Sequence, residues 1–242
     1  MKTKQKVSPI IPPILFLLLS ILLVCTSLEL RHRGSGAKVP EDLPKSLTDL
    51  MEKNPEARDF VLNYPLKKDL HPEIDLSEYK DCQEVPLLLQ WDARWGYDEY
   101  AGELMGLSGC GPTCLSMVCI YLKKDPQYTP RYIADFAQKE GYSVPGNGSS
   151  WTLISEGGRK LGLDVVEIPL AEQRIIQNLE VGNPIICVVG PGDFTTTGHF
   201  IVMTGYADGK IKINDPNSPI RSGKLWDYAQ IEGQIRNLWV CR

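Results

Sequence analysis

The chain has 242 residues, of which 43% are hydrophobic and 23% are charged, and its formal net charge is −4. This length supplies one ordinary globular core with extensions and excludes two full domains. The acidic balance, together with the lack of a Lys/Arg-rich face interleaved with aromatic residues, argues against nucleic acid as a partner.

The N-terminal segment, residues 1–30, has the pattern of a signal peptide or a membrane anchor. Three lysines precede an uncharged apolar block from Ile14 to Leu28. Its length lies between that of a signal-peptide core and that of a comfortable membrane span. Because no clean small-residue cleavage site follows, we expect a retained anchor through residues 10–30. The domain would then lie outside the cell membrane, whereas cleavage would make it a secreted protein.

A polar segment, residues 31–84, follows with scattered prolines and many charges. It contains two short helical patterns, and we predict that Ser46 caps the first and Pro55 starts the second. Neither pattern is long enough to fold alone. The segment is therefore predicted to be a stalk or linker whose helices either pack on the main domain or form a mobile spacer.

Regular turn signals mark residues 85–242 as the main domain. The sequence predicts a strand at Val85–Leu89 and an apolar helix from Cys110 to about Lys123-Lys124. Thr129-Pro130 starts a second helix that runs to about Glu140. Two more helices are predicted at 151–161 and 171–179, and five strands at 165–168, 184–189, 199–206, 210–213 and 237–241. Helices early and strands late indicate an α+β fold, with the Cys110 helix packed on a mostly antiparallel sheet.

The run from Ser108 to Thr113, Ser-Gly-Cys-Gly-Pro-Thr, places Cys110 where a loop becomes a helix. The N–H groups of a first helical turn and the positive end of the helix dipole stabilise a thiolate there. A small buried filler is the alternative for such a cysteine. The flanking glycines favour exposure to a cleft, and therefore a nucleophile.

His199 is the natural base for this thiol, because His71 lies in the stalk and the third histidine lies beside the anchor. It opens an apolar strand that leads through a hairpin to Asp215. A cysteine, a histidine and an acid in this order suggest nucleophilic catalysis. A satisfied strand histidine is the alternative for His199. Asn214 is the alternative group to orient the imidazole, since Asp215-Pro216 alone would indicate a turn.

The hairpin between His199 and Asp215 sets a geometric condition on this hypothesis. With Asp208-Gly209 as a two-residue loop, Asp215 would face Val202, three residues from His199 and on the opposite side of the sheet. Bringing the two side chains together requires a three-residue loop or a bulge at Gly209, which would set Asp215 opposite Ile201.

Four motifs in order carry a family resemblance: Gln90-x-Asp92-x-x-Trp95, Gly109-Cys110-Gly111-Pro112-Thr113, Gly198-His199-Phe200 and Asn214-Asp215-Pro216. Together they resemble the C39-like cysteine peptidases, which are papain-fold proteins related to the bacteriocin-leader peptidases. The resemblance covers about Val85 to Arg242. It implies a papain-like fold and a Cys-His-Asp triad of Cys110, His199 and Asp215.

The oxyanion-hole residue departs from the wider family pattern. In the bacteriocin-leader branch a glutamine lies shortly before the cysteine, and residues 100–109 contain none. Gln90 is the nearest upstream candidate for an oxyanion donor. A plain polar loop residue is the alternative interpretation of Gln90.

The remaining cysteines do not have the spacing of a metal site, and we expect no metal and no cofactor. Structural zinc usually needs two close ligand pairs, so Cys114, Cys119 and Cys187 are predicted to be core residues. Outside the cell, Cys82 and Cys241 could join the two ends of the domain as a disulfide.

The sequence thus predicts an exported or membrane-anchored cysteine peptidase that hydrolyses peptide bonds through a thioester acyl-enzyme. Its expected partners are a peptide or protein substrate and, through residues 10–30, the membrane. The alternative is a catalytically silent peptide-binding module or an amine acyltransferase of the same fold, because a fold alone does not decide chemistry. The cleft is expected to be lined by members of an aromatic group: Trp91, Trp95, Tyr97, Tyr100 and Trp151.

Overall fold

A computed structural model describes residues 39–40 and 42–242 of the chain, and its largest element is a six-stranded antiparallel sheet. The described strands are β1 (Glu99–Tyr100), β2 (Glu103–Leu104), β3 (Ser143–Val144), β4 (Gly148–Ser149), β5 (Val165–Glu167), β6 (Ile185–Val189), β7 (His199–Ala207), β8 (Lys210–Asn214), β9 (Leu225–Trp226) and β10 (Ile235–Cys241). In the large sheet their order is β5-β10-β6-β7-β8-β9, while β1-β2 and β3-β4 form two small ribbons. The five strands predicted between residues 165 and 241 are therefore all present.

The helices lie mainly before the sheet in the chain. They are α1 (Lys45–Lys53), α2 (Arg58–Lys67), α3 (Met105–Ser108), α4 (Cys110–Lys123), α5 (Pro130–Lys139), α6 (Gly158–Lys160), α7 (Glu172–Glu180), α8 (Pro219–Ser222) and α9 (Tyr228–Ile231). Shorter turns of helix are 3-10 at Pro55–Ala57, Ser77–Tyr79 and Glu232–Gln234, and π at Leu153–Gly157. The sequence predicts one regular helix at 151–161, whereas the structure has a π turn at Leu153–Gly157 within this range.

The start of α5 follows the capping signal in the sequence. The Thr129 hydroxyl accepts the backbone N–H of Tyr132 at 3.1 Å, and Pro130 occupies the first helical turn, where its missing N–H is not needed. The predicted start at Thr129-Pro130 is confirmed.

Both faces of the central strands are buried, and each face has its own helix. Ile186 and Val188 of β6 belong to the core cluster built around α4. The alternating residues Ile185, Cys187 and Val189 belong to a second cluster with α7. Because strand side chains alternate between faces, α4 covers one side of the sheet and α7 the other. The predicted α+β arrangement, with the Cys110 helix on an antiparallel sheet, is confirmed.

The hairpin between β7 and β8 sets Asp215 opposite Ile201, two residues from His199, and so meets the geometric condition given above, here called the parity condition. The irregularity that achieves this lies in an unexpected place. Its turn is the two-residue Asp208-Gly209, with φ of 53° and 75°, as a tight primed turn requires. The register shifts between Met203 and Gly205, so that Val202 pairs with Asn214. Continuing this register sets Asp215 opposite Ile201, as predicted. The prediction that the irregularity would lie in the loop or at Gly209 is wrong, because the strand itself bulges next to Thr204.

The predicted strand at Val85–Leu89 is also wrong, since this described segment runs outside the sheet. Side chains rather than a strand ladder satisfy its backbone: the Asn214 Nδ2 donates to the carbonyls of Val85 (2.9 Å) and Pro86 (3.1 Å). Pro86 has no N–H to donate to a strand ladder, which disfavours a strand through this segment. Val85 and Leu88 are nevertheless buried in the α4 core, which explains their apolar pattern.

Residues 42–84 belong to the same compact unit as the main domain, which extends from Asp42 to Arg242. Leu47 of α1 and Phe60 of α2 pack with Tyr97, and the rings of Phe60 and Tyr97 stack with centroids 4.4 Å apart. The two short helices therefore pack on the domain. The first begins at Lys45 after Pro44, so the predicted Ser46 cap is wrong, whereas Pro55 does start the next helical turn.

The predicted membrane anchor, residues 10–30, lies outside the described residues. Within the described ranges, no helix is both long enough and apolar enough to cross a bilayer.

Candidate active site

Cys110 lies at the first residue of α4, as the sequence predicts. Its two glycine neighbours allow close packing around it. A Cβ on Gly109 would stand 2.5 Å from the backbone oxygen of Met105, and one on Gly111 would stand 2.5 Å from the hydroxyl oxygen of Ser149. Glycine at both positions therefore lets α3 and β4 approach the N-terminus of α4, while Cys110 itself stays partly exposed.

His199 and Asp215 meet at the end of the β7–β8 hairpin. The imidazole Nε2 lies 2.8 Å from Oδ1 of Asp215, and both residues are buried. The ring and the Cys110 thiol line the same two cavities, and their interaction lowers the pKa of the thiol and raises that of the imidazole. With Nε2 on the carboxylate, Nδ1 is the ring atom left for the sulfur. The structure thus brings together the three residues that the sequence singled out.

The Asp215 carboxylate is held at both oxygens. Oδ1 accepts the backbone N–H of Asn217 at 2.8 Å in addition to His199, and Oδ2 accepts the guanidinium Nε–H of Arg221 at 2.5 Å. Sequence reasoning missed Arg221. The Ser218-Pro219 pair is the start signal of a short helix that could have brought this cation back toward Asp215.

These contacts favour the charged form of each group. Burial raises the pKa of the Cys110 thiol, but the interaction with His199, together with backbone N–H groups of Phe200 and Gly111, holds it below its ordinary value overall. Burial alone would lower the pKa of His199, and the carboxylate of Asp215 outweighs it and raises the pKa to about 10. The pKa of Asp215 is lowered because His199 and Arg221 together outweigh its desolvation. Both shifts act in favour of a thiolate–imidazolium pair.

Gln90 is buried, and its amide is already engaged. Nε2 donates to the carbonyl of Gly106 at 2.9 Å and lies 3.4 Å from that of Leu107, so the donor contacts the α3 backbone. Gln90 and Cys110 nevertheless line one cavity. An oxyanion role for Gln90 remains a prediction.

Asn214, the alternative orienting group, is used elsewhere. Its Nδ2 binds the carbonyls of Val85 and Pro86. Asp215 is the group that contacts His199.

Two cavities of about 420 and 550 Å³ meet at Cys110 and His199, which line both. Trp151, 47% exposed, lines the smaller one, whereas Trp95, Tyr97 and Tyr100 are buried in the interior. Trp151 is therefore the member of the predicted aromatic group that lines the cleft. Helix α1 supplies Ser46 to both cavities and Asp49, Leu50 and Lys53 to the larger one.

The other cysteines that the structure describes lie outside the site. Cys114, Cys119 and Cys187 are fully buried, which confirms the prediction that they belong to the core. Cys82 and Cys241 are free thiols, so the proposed disulfide is absent from this structure. In the part of the chain that the structure describes, no group of His, Cys, Asp or Glu side chains is arranged to hold a metal ion.

A family model described as "Peptidase_C39 like family" matches residues 82–240. The chain belongs to this family. Its residues 82–240 are a C39-like peptidase domain, and its α+β arrangement is papain-like.

Two solved structures resemble this C39-like protein. One is the peptidase domain of Streptococcus ComA, described as a bifunctional ABC transporter involved in quorum sensing, with 19% identity, a TM-score of 0.47, and coverage of 64% of this chain and 96% of that domain. The other is a C39-like peptidase from Bacillus anthracis, with 15% identity, a TM-score of 0.40, and coverage of 71% and 98%. No protein with a curated description matches the chain significantly.

Proposed function

We propose that this C39-like protein is a cysteine peptidase in which Cys110 is the nucleophile, His199 the general acid–base and Asp215 the orienting carboxylate. One observation carries the proposal: Cys110, at the N-terminus of α4, lines the same two cavities as His199, whose Nε2 is bound to the buried Asp215 carboxylate at 2.8 Å. A thiol is activated for attack on a carbonyl when a base lies beside it and a third group orients that base. Cys110, His199 and Asp215 have this arrangement.

The reaction has two halves. The Cys110 thiolate attacks the carbonyl carbon, and the tetrahedral intermediate collapses to a thioester as His199 gives its Nδ1 proton to the leaving amine. Neutral His199 then takes a proton from water, whose oxygen attacks the thioester. The C–S bond then breaks and the acid product leaves, while the proton taken from water stays on His199 and restores the thiolate–imidazolium pair.

The developing oxyanion needs donors that are already in place. The backbone N–H of Cys110, in the first turn of α4, is the donor we assign to it. Gln90 could add a second donor only if its Nε2 left the carbonyl of Gly106, because that contact now uses the amide.

Labelling with a thiol-directed electrophile tests the proposal. With limiting iodoacetamide at pH 7, Cys110 should react on the order of 10²-fold faster than Cys82, the other partly exposed thiol among the described residues. His199→Ala should slow Cys110 to the rate of an ordinary thiol. The matched control is His71→Ala, which removes an exposed histidine bound to Asp98 and should leave labelling unchanged. Equal rates for Cys110 and Cys82 in the wild type would refute the assignment.

Peptide assays then separate hydrolysis from its alternatives. Incubation of the full chain with a peptide library should give free carboxyl termini, and an added amine such as hydroxylamine should capture part of the thioester. A product found only with the acceptor amine would indicate an acyltransferase. Tight peptide binding without any product would indicate a silent binding module.

The cellular location is a separate proposal based on residues 10–30 alone. We place the peptidase domain on the outer side of the cell membrane, held by this apolar segment. Cell fractionation of the full chain and of a variant lacking residues 1–30 tests it, since only the full chain should sediment with membranes. Equal partitioning of both forms would contradict the proposal.

A further inference from the structure

Two side chains that precede the family-matched region reach across to the turn that carries Asp215. Asn54 and Glu56 lie between α1 and α2, while the family model begins at residue 82. They are separated from their partners by more than 160 residues along the chain, so the contacts are purely tertiary.

The contact made by Asn54 supports Oδ1 of the Asp215 carboxylate. The Asn54 Nδ2 donates to the backbone carbonyl of Asn217 at 2.7 Å and to its side-chain oxygen at 3.0 Å. The backbone N–H of Asn217 in turn donates to Oδ1 of Asp215, the oxygen that His199 uses. Asn54 is 6% exposed, so water competes little for this link.

The second contact ends at the Oδ2 side. The Glu56 carboxylate accepts the hydroxyl of Ser218 at Oε1 and the backbone N–H of Ile220 at 2.9 Å at Oε2. The same Ser218 hydroxyl accepts the backbone N–H of Arg221, whose guanidinium binds Oδ2 of Asp215. Glu56 therefore fixes the short helix α8 that presents Arg221.

The two residues also fix each other. The Asn54 side-chain oxygen accepts the backbone N–H of Glu56 at 3.1 Å, which caps the 3-10 turn between them. One capped turn thus supports both oxygens of one buried carboxylate, Oδ1 through Asn217 and Oδ2 through Ser218 and Arg221.

We propose that Asn54 and Glu56 are positioning residues for the active site: they hold the Asp215 turn so that its carboxylate stays aligned on His199. The inference rests on the proposed function, and it means that residues 82–240 by themselves are an incomplete catalytic unit. If the carboxylate loses its alignment, Asp215 stabilises the imidazolium less well. The imidazolium then stabilises the Cys110 thiolate less well, and the pKa of Cys110 rises.

The pH dependence of Cys110 alkylation in the full chain tests this inference without requiring a peptide substrate. In Glu56→Ala the midpoint for thiolate formation should move upward by about one pH unit, and labelling at pH 7 should slow about tenfold. Asn54→Ala should produce a smaller shift in the same direction. Glu56→Gln should recover part of the effect, because its one carbonyl oxygen can still accept Ser218 or Ile220. The matched control is Glu52→Ala, an exposed carboxylate on α1.

The outcomes separate the inference from the proposed function. If wild-type Cys110 labels no faster than Cys82, the proposed function fails. If Cys110 is reactive and both Glu56→Ala and Asn54→Ala keep the wild-type midpoint, the positioning role fails alone. If Glu56→Ala does not fold, Glu56→Gln and Asn54→Ala decide the inference, since unchanged midpoints in both would overturn it. A shifted midpoint at an unchanged melting temperature supports positioning.

Discussion

Cys110 and Cys114 lie one helical turn apart on α4, yet their surroundings drive their thiols in opposite directions. Burial raises the pKa of Cys114 well above its ordinary value, and the negative charges of its ionisable neighbours, Cys110 and Asp215, add to the effect. For Cys110 the hydrogen bond and charge of His199 outweigh burial, and the pKa falls.

The contrast between Cys110 and Cys114 shows which feature lowers the pKa of a cysteine on this helix. Both thiols lie on the same helix, and Cys114 is fully buried in the α4 core. The difference comes from one imidazole and from the first-turn N–H groups, neither of which reaches the second turn. The pKa of a cysteine on α4 is therefore lowered only in the first helical turn, where the end of the β7–β8 hairpin brings His199 close to it.

The strongest test of the comparison is to remove each sulfur in turn. Cys110→Ala should reduce peptide hydrolysis by at least about 10⁴-fold, because the thioester can no longer form. Cys114→Ala is the matched control and should keep kcat/KM within about twofold of the wild type. Comparable losses in both variants would show that α4 integrity, rather than the Cys110 sulfur, sets the activity.

The next largest effect is expected from Asp215→Asn. It keeps a hydrogen-bonding side chain but removes the charge that raises the pKa of His199 to about 10. A raised pKa means that imidazolium persists up to that pH in the wild type, so hydrolysis should rise as the Cys110 thiol ionises and fall near pH 10. In Asp215→Asn the alkaline limb should move to lower pH, with kcat lower by about 10²-fold. A full pH–rate profile measures both, and an unmoved alkaline limb would contradict the assigned role.

A smaller effect is expected from Arg221→Gln. The substitution removes the cation at Oδ2 and leaves Asp215 bound to His199 and Asn217. Because the pKa of Asp215 is lowered by Arg221 as well as by His199, the carboxylate should now protonate at a higher pH. On the acid side of the pH–rate profile, below the rise set by ionisation of Cys110, the loss that accompanies protonation of Asp215 should begin at a higher pH, with kcat lower by about tenfold there. Rescue by Arg221→Lys would show that charge, not fork geometry, is what Asp215 requires.

The smallest effect separates packing from chemistry within the same helix. Cys114→Ala should lower the free energy of unfolding by about 1 kcal/mol, because one buried heavy atom leaves a small cavity. That corresponds to a melting temperature lower by about 2–4 °C. Thermal unfolding measures it, and the alkylation midpoint of Cys110 should not move. A shifted midpoint would mean that Cys114 is coupled to the site and not only to the core.

Much of the site could be predicted from local sequence signals. Three short-range signals place Cys110, His199 and Asp215 together. They are the glycines around Cys110, the position of His199 at a strand start and the parity condition on the hairpin. The bulge next to Thr204 could not be placed, because parity requires an irregularity but does not say where it lies.

The support around Asp215 could not be predicted for a different reason. Asn54 and Glu56 carry no pattern beyond a helix start, and only the folded chain brings them to Asn217 and Ser218. The strand predicted at Val85–Leu89 failed in a related way. Apolar alternation reports burial, and it does not distinguish a strand from an extended segment whose carbonyls are bound by Asn214.

The bulge beside Thr204 limits how this hairpin can change length. A single insertion or deletion within the paired segments of β7 or β8 would turn the carboxylate away from the imidazole, whereas a change of two residues there would preserve their common side. Grafts that replace the Asp208-Gly209 turn should therefore be tolerated at odd and even lengths, whereas an odd-numbered change within either strand should fail unless a second bulge matches it.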